Sequence, residues 1–367
     1  MRVCLRRGYH HVFDDLVRHP PRGVEYTIPK ATSSRGQSGM MNVVKRKGWR
    51  LYSNLMKKPN VVQVDCAAGT DLIHSNSGFL VANKAPWVID LEHAASFVGF
   101  ESGRLEGVRS TVQRYLSSEH CKKIMPWTKA GEVSVRNGLS TRGFVDKIEV
   151  VYPAMMPVKI KKEKGPITNL LFVGQGFFGK GGKEVLEACD ALRDRYDFNL
   201  NMVSDVPREF QKKYRQFNFV RPNIPREELI KKYFSSADVF VLPSYIDTFG
   251  MVFLEAMSAG IPIVASNNFA IPEIIGGAGV TVDAGKRTMF NRRMLFKTSW
   301  ENFNKGVRQE KPEIVKDLEG KISYMIDNPS VRRMMSRKGA AMVARGKFSV
   351  GERNRKLNRI YEESLRR

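Results

Sequence analysis

Cysteine is scarce in this chain. It has four in 367 residues, Cys4, Cys66, Cys121 and Cys189. None has the paired spacing of a zinc site or the framework of a disulfide-stapled domain, so they read as reduced, buried thiols of a cytosolic protein. Long apolar runs are missing too. None approaches the length of about 20 residues that a membrane-spanning helix needs. The N-terminal MRVCLRRGYHHVF sets arginines where a signal peptide needs an uninterrupted apolar stretch, and secretion is not expected. Histidine is limited to six residues, the last of them His120, and no cluster has convincing metal-ligand spacing. No metal is expected. Acids are few beside bases, 37 against 61, for a formal charge of +24. The excess is spread over both halves, which excludes a single basic tail as its source. Such a charge favours anionic partners: nucleic acid, anionic lipid or phosphorylated substrates.

What is present is the pattern of an α/β protein. Hydrophobic residues make up 42% and aromatic residues 10%, enough for a globular core, and the length suits two domains. Short apolar strands alternate with amphipathic stretches, as in parallel sheets. In the first half, DLIHS (71–75), WVIDLE (87–92) and KIEVVYPA (147–154) read as strands, and GRLEGVRSTVQRYLSS (103–118) as a helix. MMPVKIKKEKGP follows as a linker. ITNLLFVG (167–174), FNLNMVS (198–204), ADVFVLPS (237–244) and IPIVAS (261–266) then read as strands of a second domain. The expected organisation is an N-terminal domain over 1–158 and a C-terminal domain over 165–349. A final helix, 350–367, packs back on the first domain through Val350, Leu357, Ile360, Tyr361 and Leu365.

Between a strand and a helix, LLFVGQGFFGKGGKEVLEA places Gly174, Gly176 and Gly179 in G-x-G-x-x-G spacing, the dinucleotide fingerprint in its required context. Two features argue against that reading. Gly181 and Gly182 fall where the first helical turn belongs, so the helix is expected from Lys183. Asp205 lies too far along to be the acid that grips a ribose roughly 20 residues on. The alternatives are a glycine loop that lets backbone approach a phosphate, with Lys180 as the cation, and a plain glycine-rich turn with an exposed lysine.

In PSYIDTFGMVFLEAMSAG (243–260), the strand stops at Pro243 and a helix runs from Met251 to a glycine stop at Gly260. Phe249 and Gly250 mark the helix start, where unpaired N–H groups and the helix dipole favour an anion. Asp247 lies just before it and Glu255 about one turn inside. The two acids thus bracket a phosphate-binding helix end, from which carboxylates accept hydrogen bonds from sugar hydroxyls. The plainer alternative makes Asp247 a cap and Glu255 a solvated surface acid.

This stretch resembles the signature of retaining glycosyltransferases of the GT-B fold, family 4, with an E-x7-E pattern around Phe-Gly. FVGQGFFGKGG, REELIKKYFSSADVFVLPS, GIPIVASNNFAIPEII and KLNRIYEESL follow in the family's order. The resemblance covers roughly residues 145 to 367; the first half is similar only in layout. It implies two Rossmann-like domains facing an interdomain cleft and transfer of a sugar from a nucleotide-sugar donor, UDP- or GDP-linked, to an acceptor with retention of configuration. No cofactor or metal is implied. It further implies that Glu255 binds the donor ribose and that the backbone at Phe249, Gly250 and Met251 meets the diphosphate and donor sugar. Asp247, in place of the usual first glutamate, would hold sugar hydroxyls. Lys180 would bind phosphate, beside the glycine loop of Gly174, Gln175 and Gly176. Gln175 stands where the family has an arginine. His93, at the end of a first-domain strand, is the candidate to contact the donor sugar, with His74 second; the plainer reading of either is a core histidine bonded to backbone. The family's glycine-rich loop after the first strand is absent, only Gly8 being available. Two rival readings are an epimerase or phosphorylase on the same fold, and a catalytically weakened protein that binds nucleotide or nucleic acid.

VVKRKGWRLYSNLMKK (43–58) places Val44, Leu51, Tyr52 and Leu55 on one side of a helix, with Lys45, Arg46, Lys47, Arg50, Lys57 and Lys58 around the rest. That combination describes either a helix lying at an anionic membrane surface or an ordinary helix with its apolar side on the core. A cytoplasmic protein, peripheral on the inner face of a membrane, is the expectation; nucleic acid is not favoured as partner.

Overall fold

Among the described residues every strand pairing is parallel, as expected where crossovers and not hairpins join the strands. The structure, a computed structural model, describes residues 1–6, 12–29, 58–101, 103–158, 160, 162, 165, 167–285 and 288–366. Apart from Lys58, the basic segment 43–58 lies outside them, as does Gly8. Two units result. One comprises Met1–Ala154, Asn291–Lys297 and Val350–Arg367; the other comprises Met155–Phe290 and Thr298–Ser349.

The first unit is built on strands β1 (Arg2–Leu5), β2 (Glu25–Thr27), β4 (Leu72–Ser75), β6 (Trp87–Leu91) and β7 (Cys121–Pro126), in the order β2-β1-β4-β6-β7. β3 (Val61–Val62) and β5 (Leu80–Val81) form a separate pair. Every residue of β4 and β6 is buried, as expected of strands covered on both faces. The helix Arg104–Ser117 buries Val108, Val112 and Leu116, one residue per turn. KIEVVYPA does not form the expected strand. Ile148 makes a single bridge to Ile124, and the N–H groups of Glu149 and Val151 reach the carbonyls of Ile124 and Pro126. Pro126 has no N–H to return, so the ladder cannot continue.

The last helix, Val350–Arg366, buries Arg353, Leu357, Ile360, Tyr361 and Ser364. Leu357, Ile360 and Tyr361 join the core formed by Val3, Leu5, Leu72 and Val88. Leu365, expected on that face, is exposed. The 3.6-residue period continues 353, 357, 360/361 and 364 instead, so Ser364 takes the inward position. Two boundaries also differ from the sequence reading. The first unit ends at Ala154, because residues beyond it already bond to the second: the Val158 N–H donates to Ser258 Oγ at 2.7 Å and Lys162 Nζ to the Ala237 carbonyl at 2.7 Å. And Asn291–Lys297 belongs to the first unit although the chain on either side belongs to the second.

The second unit carries β8 (Thr168–Val173), β9 (Phe198–Val203), β10 (Asn218–Val220), β11 (Val239–Leu242), β12 (Ile263–Ser266) and β13 (Gly279–Val282), in the order β10-β9-β8-β11-β12-β13. Numbered within the unit this is 3-2-1-4-5-6, the doubly wound order, whose direction reverses between β8 and β11. Those two strands are direct neighbours, with Val239 opposite Leu170 and Phe240 opposite Leu171. Ligands of open α/β sheets bind beyond the carboxyl ends of the strands at this reversal. The loops leaving β8 and β11 are the glycine loop and the stretch 243–250.

Candidate functional site

The glycine loop is shaped by contacts that leave no room for side chains. A Cβ on Gly181, whose φ is +77°, would stand 2.7 Å from the Pro243 carbonyl, and one on Gly182 would stand 2.4 Å from the Phe177 ring. Helix Gly182–Leu192 therefore starts one residue before the expected Lys183, with glycine at its first position because Phe177 packs there. Gly174 is crowded by the Lys180 side chain, 3.2 Å from where a Cβ would be. Asp205 Oδ1 accepts hydrogen bonds from the N–H groups of Gly176 at 2.8 Å and Phe177 at 3.2 Å. Sequence spacing had removed Asp205 from consideration as a ribose ligand. Its position directly after β9, the neighbour of β8, was the signal that it faces the loop.

Beyond β11, Ser244 Oγ accepts from the N–H groups of Ile246 at 3.3 Å and Asp247 at 3.2 Å, and the Tyr245 N–H donates to the Gly179 carbonyl at 3.0 Å. The two loops are thereby joined. Lys180 Nζ donates to Asp247 Oδ1, while Asp247 Oδ2 is buried without a hydrogen-bond partner. Asp247 does not cap the following helix. Helix Met251–Ser258 begins at Gly250, in the left-handed region at φ +72°, with no side-chain cap. A Cβ there would meet the Phe253 ring at 2.8 Å. Phe249 is buried edge-on against Phe348, and Met251, the first helical residue, is half-buried. Glu255 is no solvated acid: its side chain is 14% exposed and accepts from Arg226 Nε at 2.8 Å. Arg226 was not singled out in the sequence, where it appears only as the first residue of REELIKKYFSSADVFVLPS.

Beneath these loops, Lys311 Nζ donates at 2.5 Å to Glu184 Oε1, and both side chains are excluded from water. Lys311 also donates to the carbonyls of Val307 and Gln309 at 2.9 and 3.1 Å. Burial, reinforced by the Glu184 charge, pushes the Tyr245 hydroxyl pKa far up. This buried charged group fixes the helix that follows the glycine loop to the turn 307–311. Above the loop lies a cavity of about 320 Å³, lined among others by Gln175, Lys180, Asp205, Ile246, Phe303 and Arg308. Gln175 itself is exposed.

Lys180, Asp247, Gly174, Gln175, Gly176, Phe249, Gly250, Met251 and Glu255 thus all lie in the second unit, on the loops leaving β8 and β11 and the helix that follows. His93 belongs to the first. His93 is buried, its Nδ1 accepts from the Ala95 N–H at 2.9 Å, and its Nε2 lies 2.6 Å from the Met294 carbonyl. Phe296 stacks on it at 4.7 Å. Burial lowers its pKa to about 4. His74 is also buried, with Nδ1 2.6 Å from the Tyr361 hydroxyl and Nε2 3.0 Å from Asp90 Oδ2. Among the described residues no group of three or more His, Cys, Asp or Glu is arranged to hold a metal ion.

Residues 167–296, most of them in the second unit, match the family model described as Glycosyl transferases group 1. An uncharacterized glycosyltransferase of Haemophilus influenzae is 30% identical over 166 residues, 43% of this chain and 45% of the relative. The chain spans less than two thirds of the length of the curated relatives matched first. Among solved structures, sucrose-phosphate synthase from Thermosynechococcus elongatus superposes with a TM-score of 0.66 at 13% identity, over 99% of this chain and 98% of that one. Anabaena HepE in complex with UDP and glucose superposes with a TM-score of 0.61 at 12% identity, over 98% and 99%. The fold is GT-B, with two Rossmann-like parallel sheets.

Proposed function

We propose that the protein is a retaining glycosyltransferase that uses a UDP- or GDP-linked sugar without metal or other cofactor. One observation carries this reading. At the strand-order reversal, Lys180 is held by Asp247, whose second oxygen is buried and unpartnered beside an uncapped helix start. A buried carboxylate oxygen without a donor is costly, and a sugar hydroxyl supplies one. In the bound state the backbone at Phe249, Gly250 and Met251 and the Lys180 ammonium face the diphosphate, and Glu255 accepts from the ribose hydroxyls. The bond from the anomeric carbon to the diphosphate oxygen breaks, and the diphosphate leaves as an anion stabilised by Lys180 and the helix end. The acceptor hydroxyl oxygen bonds to the same face of that carbon and its proton passes to the departing phosphate. His93, with both ring nitrogens facing backbone, is given no part in proton transfer. The group 1 domain match and a GT-B neighbour solved with UDP support the donor class.

The test is thermal unfolding with a panel of UDP, GDP and their sugars. One base series should raise the midpoint, since a ligand of the folded state stabilises by mass action, and Asp247→Asn should reduce the rise for the sugar-linked members most. A flat panel contradicts the reading. Formation of a new glycosidic bond, and not an epimer or a sugar phosphate, separates transfer from the rival activities. No helix among the described residues is long and apolar enough to cross a membrane. Attachment through 43–58 is part of the proposal, and co-sedimentation with anionic but not neutral vesicles, lost as salt rises, would support it; equal binding to both, or to neither, would remove it.

A further inference from the structure

Several cations near the glycine loop are already committed. Lys180 is paired with Asp247, Arg226 with Glu255, Lys183 with Glu310 at 2.6 Å, and Lys311 with Glu184. Asp205 adds a negative charge at the loop amides. Arg308, on the cavity wall, is not among them. No ion pair or hydrogen bond of its guanidinium is found among the described residues; it lies over the face of the Phe178 ring, 4.1 Å from the centroid. It lines the same cavity as Gln175 and Lys180.

This arginine is exposed, yet its backbone is anchored. The Arg308 carbonyl accepts from Lys183 Nζ at 3.4 Å, and the carbonyls on either side, of Val307 and Gln309, accept from the buried Lys311. Lys183 and Glu184 stand on the first turn of the helix that leaves the glycine loop. The turn that presents Arg308 is therefore built onto the glycine loop. An aromatic face under a guanidinium fixes the plane of the group while leaving its five N–H donors available. A preorganised guanidinium with free donors matches the oxygens of a phosphate.

We propose that Arg308 is a phosphate-binding residue for the nucleoside diphosphate, supplying from outside the glycine loop the positive charge that Lys180 has already shared with Asp247. The inference rests on the donor reading above and adds a residue to it. In this arrangement Gln175 needs no charge of its own, because Arg308 borders the same cavity.

Isothermal titration with UDP, GDP, uridine and guanosine tests it on the full chain. The wild type should bind one of the two diphosphates. Arg308→Gln should weaken that diphosphate about ten- to a hundredfold, the loss of a charged hydrogen bond, and leave the matching nucleoside within about twofold. Arg308→Lys should fall between. Adding Gln175→Arg to Arg308→Gln should recover most of the loss, since both positions face one cavity. Unchanged unfolding midpoints show that the variants fold. Wild-type binding that Arg308→Gln leaves unchanged, or equal losses for diphosphate and nucleoside, overturns this proposal alone. Failure of the wild type to bind either diphosphate overturns the donor reading and this proposal with it.

Discussion

Tyr361, on the last helix, places its hydroxyl 2.6 Å from His74 Nδ1 and 2.9 Å from the Tyr26 hydroxyl, with Tyr361 and His74 both buried. His74 passes the chain of bonds to Asp90, whose other oxygen accepts from Trp127 Nε1 at 3.1 Å. One hydroxyl thus ties the final helix to β2, β4 and β6. Burial and the neighbouring Tyr26 and Asp90 hold the Tyr361 pKa well above the ordinary range, so it stays a neutral hydroxyl. Tyr361→Phe should cost about 1–3 kcal/mol in urea unfolding, because His74 and Tyr26 each lose a buried partner. A cost indistinguishable from zero would mean that the helix is held by Leu357 and Ile360 alone.

His93 gives the stability a pH dependence of definite sign. Its folded pKa of about 4 lies below the ordinary 6.5 because burial disfavours the charged ring. Above pH 6.5 the ring is neutral in both states and contributes no slope. As pH falls below 6.5 the unfolded chain takes up the proton first, and the folded state loses stability until about pH 4, by about 3 kcal/mol in all. His93→Asn keeps a side chain able to accept from the Ala95 N–H but does not titrate. The wild type's stability relative to this variant should therefore fall by that amount between pH 7 and pH 4. A constant difference over that range would show that His93 is not buried neutral.

Glu255 and Arg226 are predicted to be separable by ligand. Glu255→Ala should weaken nucleoside binding by about 1.5–3 kcal/mol, the worth of a charged hydrogen bond, with a smaller effect on folding. Arg226→Met should leave Glu255 free to accept from ribose and should not weaken the nucleoside comparably. Equal losses in both variants would make Glu255 a structural partner of Arg226 only.

Gly181→Ala should be far more damaging than the usual glycine-to-alanine change. The new Cβ would stand 2.7 Å from the Pro243 carbonyl, a backbone atom, at a φ of +77°. The left-handed conformation alone costs about 1–2 kcal/mol. A stability loss below 1 kcal/mol in denaturant unfolding would show that the loops from β8 and β11 are not held together as described.

The sequence made the second sheet readable because its strands are short, apolar and separated by helices, and parallel pairing follows from that alternation. The loops from β8 and β11 were legible through glycine and proline, which report on backbone geometry. KIEVVYPA had the composition of a strand, but its fate depends on Pro126 at the end of the neighbouring strand β7. The contacts of His93 with Met294 and Phe296, some two hundred residues later, have no local sequence signal. Asp205, Arg226 and Arg308 escaped for the same reason: their meaning lies in what other elements bring to them. Leu365 was misplaced by a single position of helical phase.

The central claim is that Lys180 serves a departing nucleoside diphosphate. The most direct measurement is release of UDP or GDP from a panel of nucleotide sugars by the wild type and by Lys180→Ala. The account predicts release from one base series by the wild type, and a rate about 10²- to 10³-fold lower in the variant, the usual effect of losing one transition-state donor. Equal rates for the two proteins, or no release from any donor by the wild type, would contradict it.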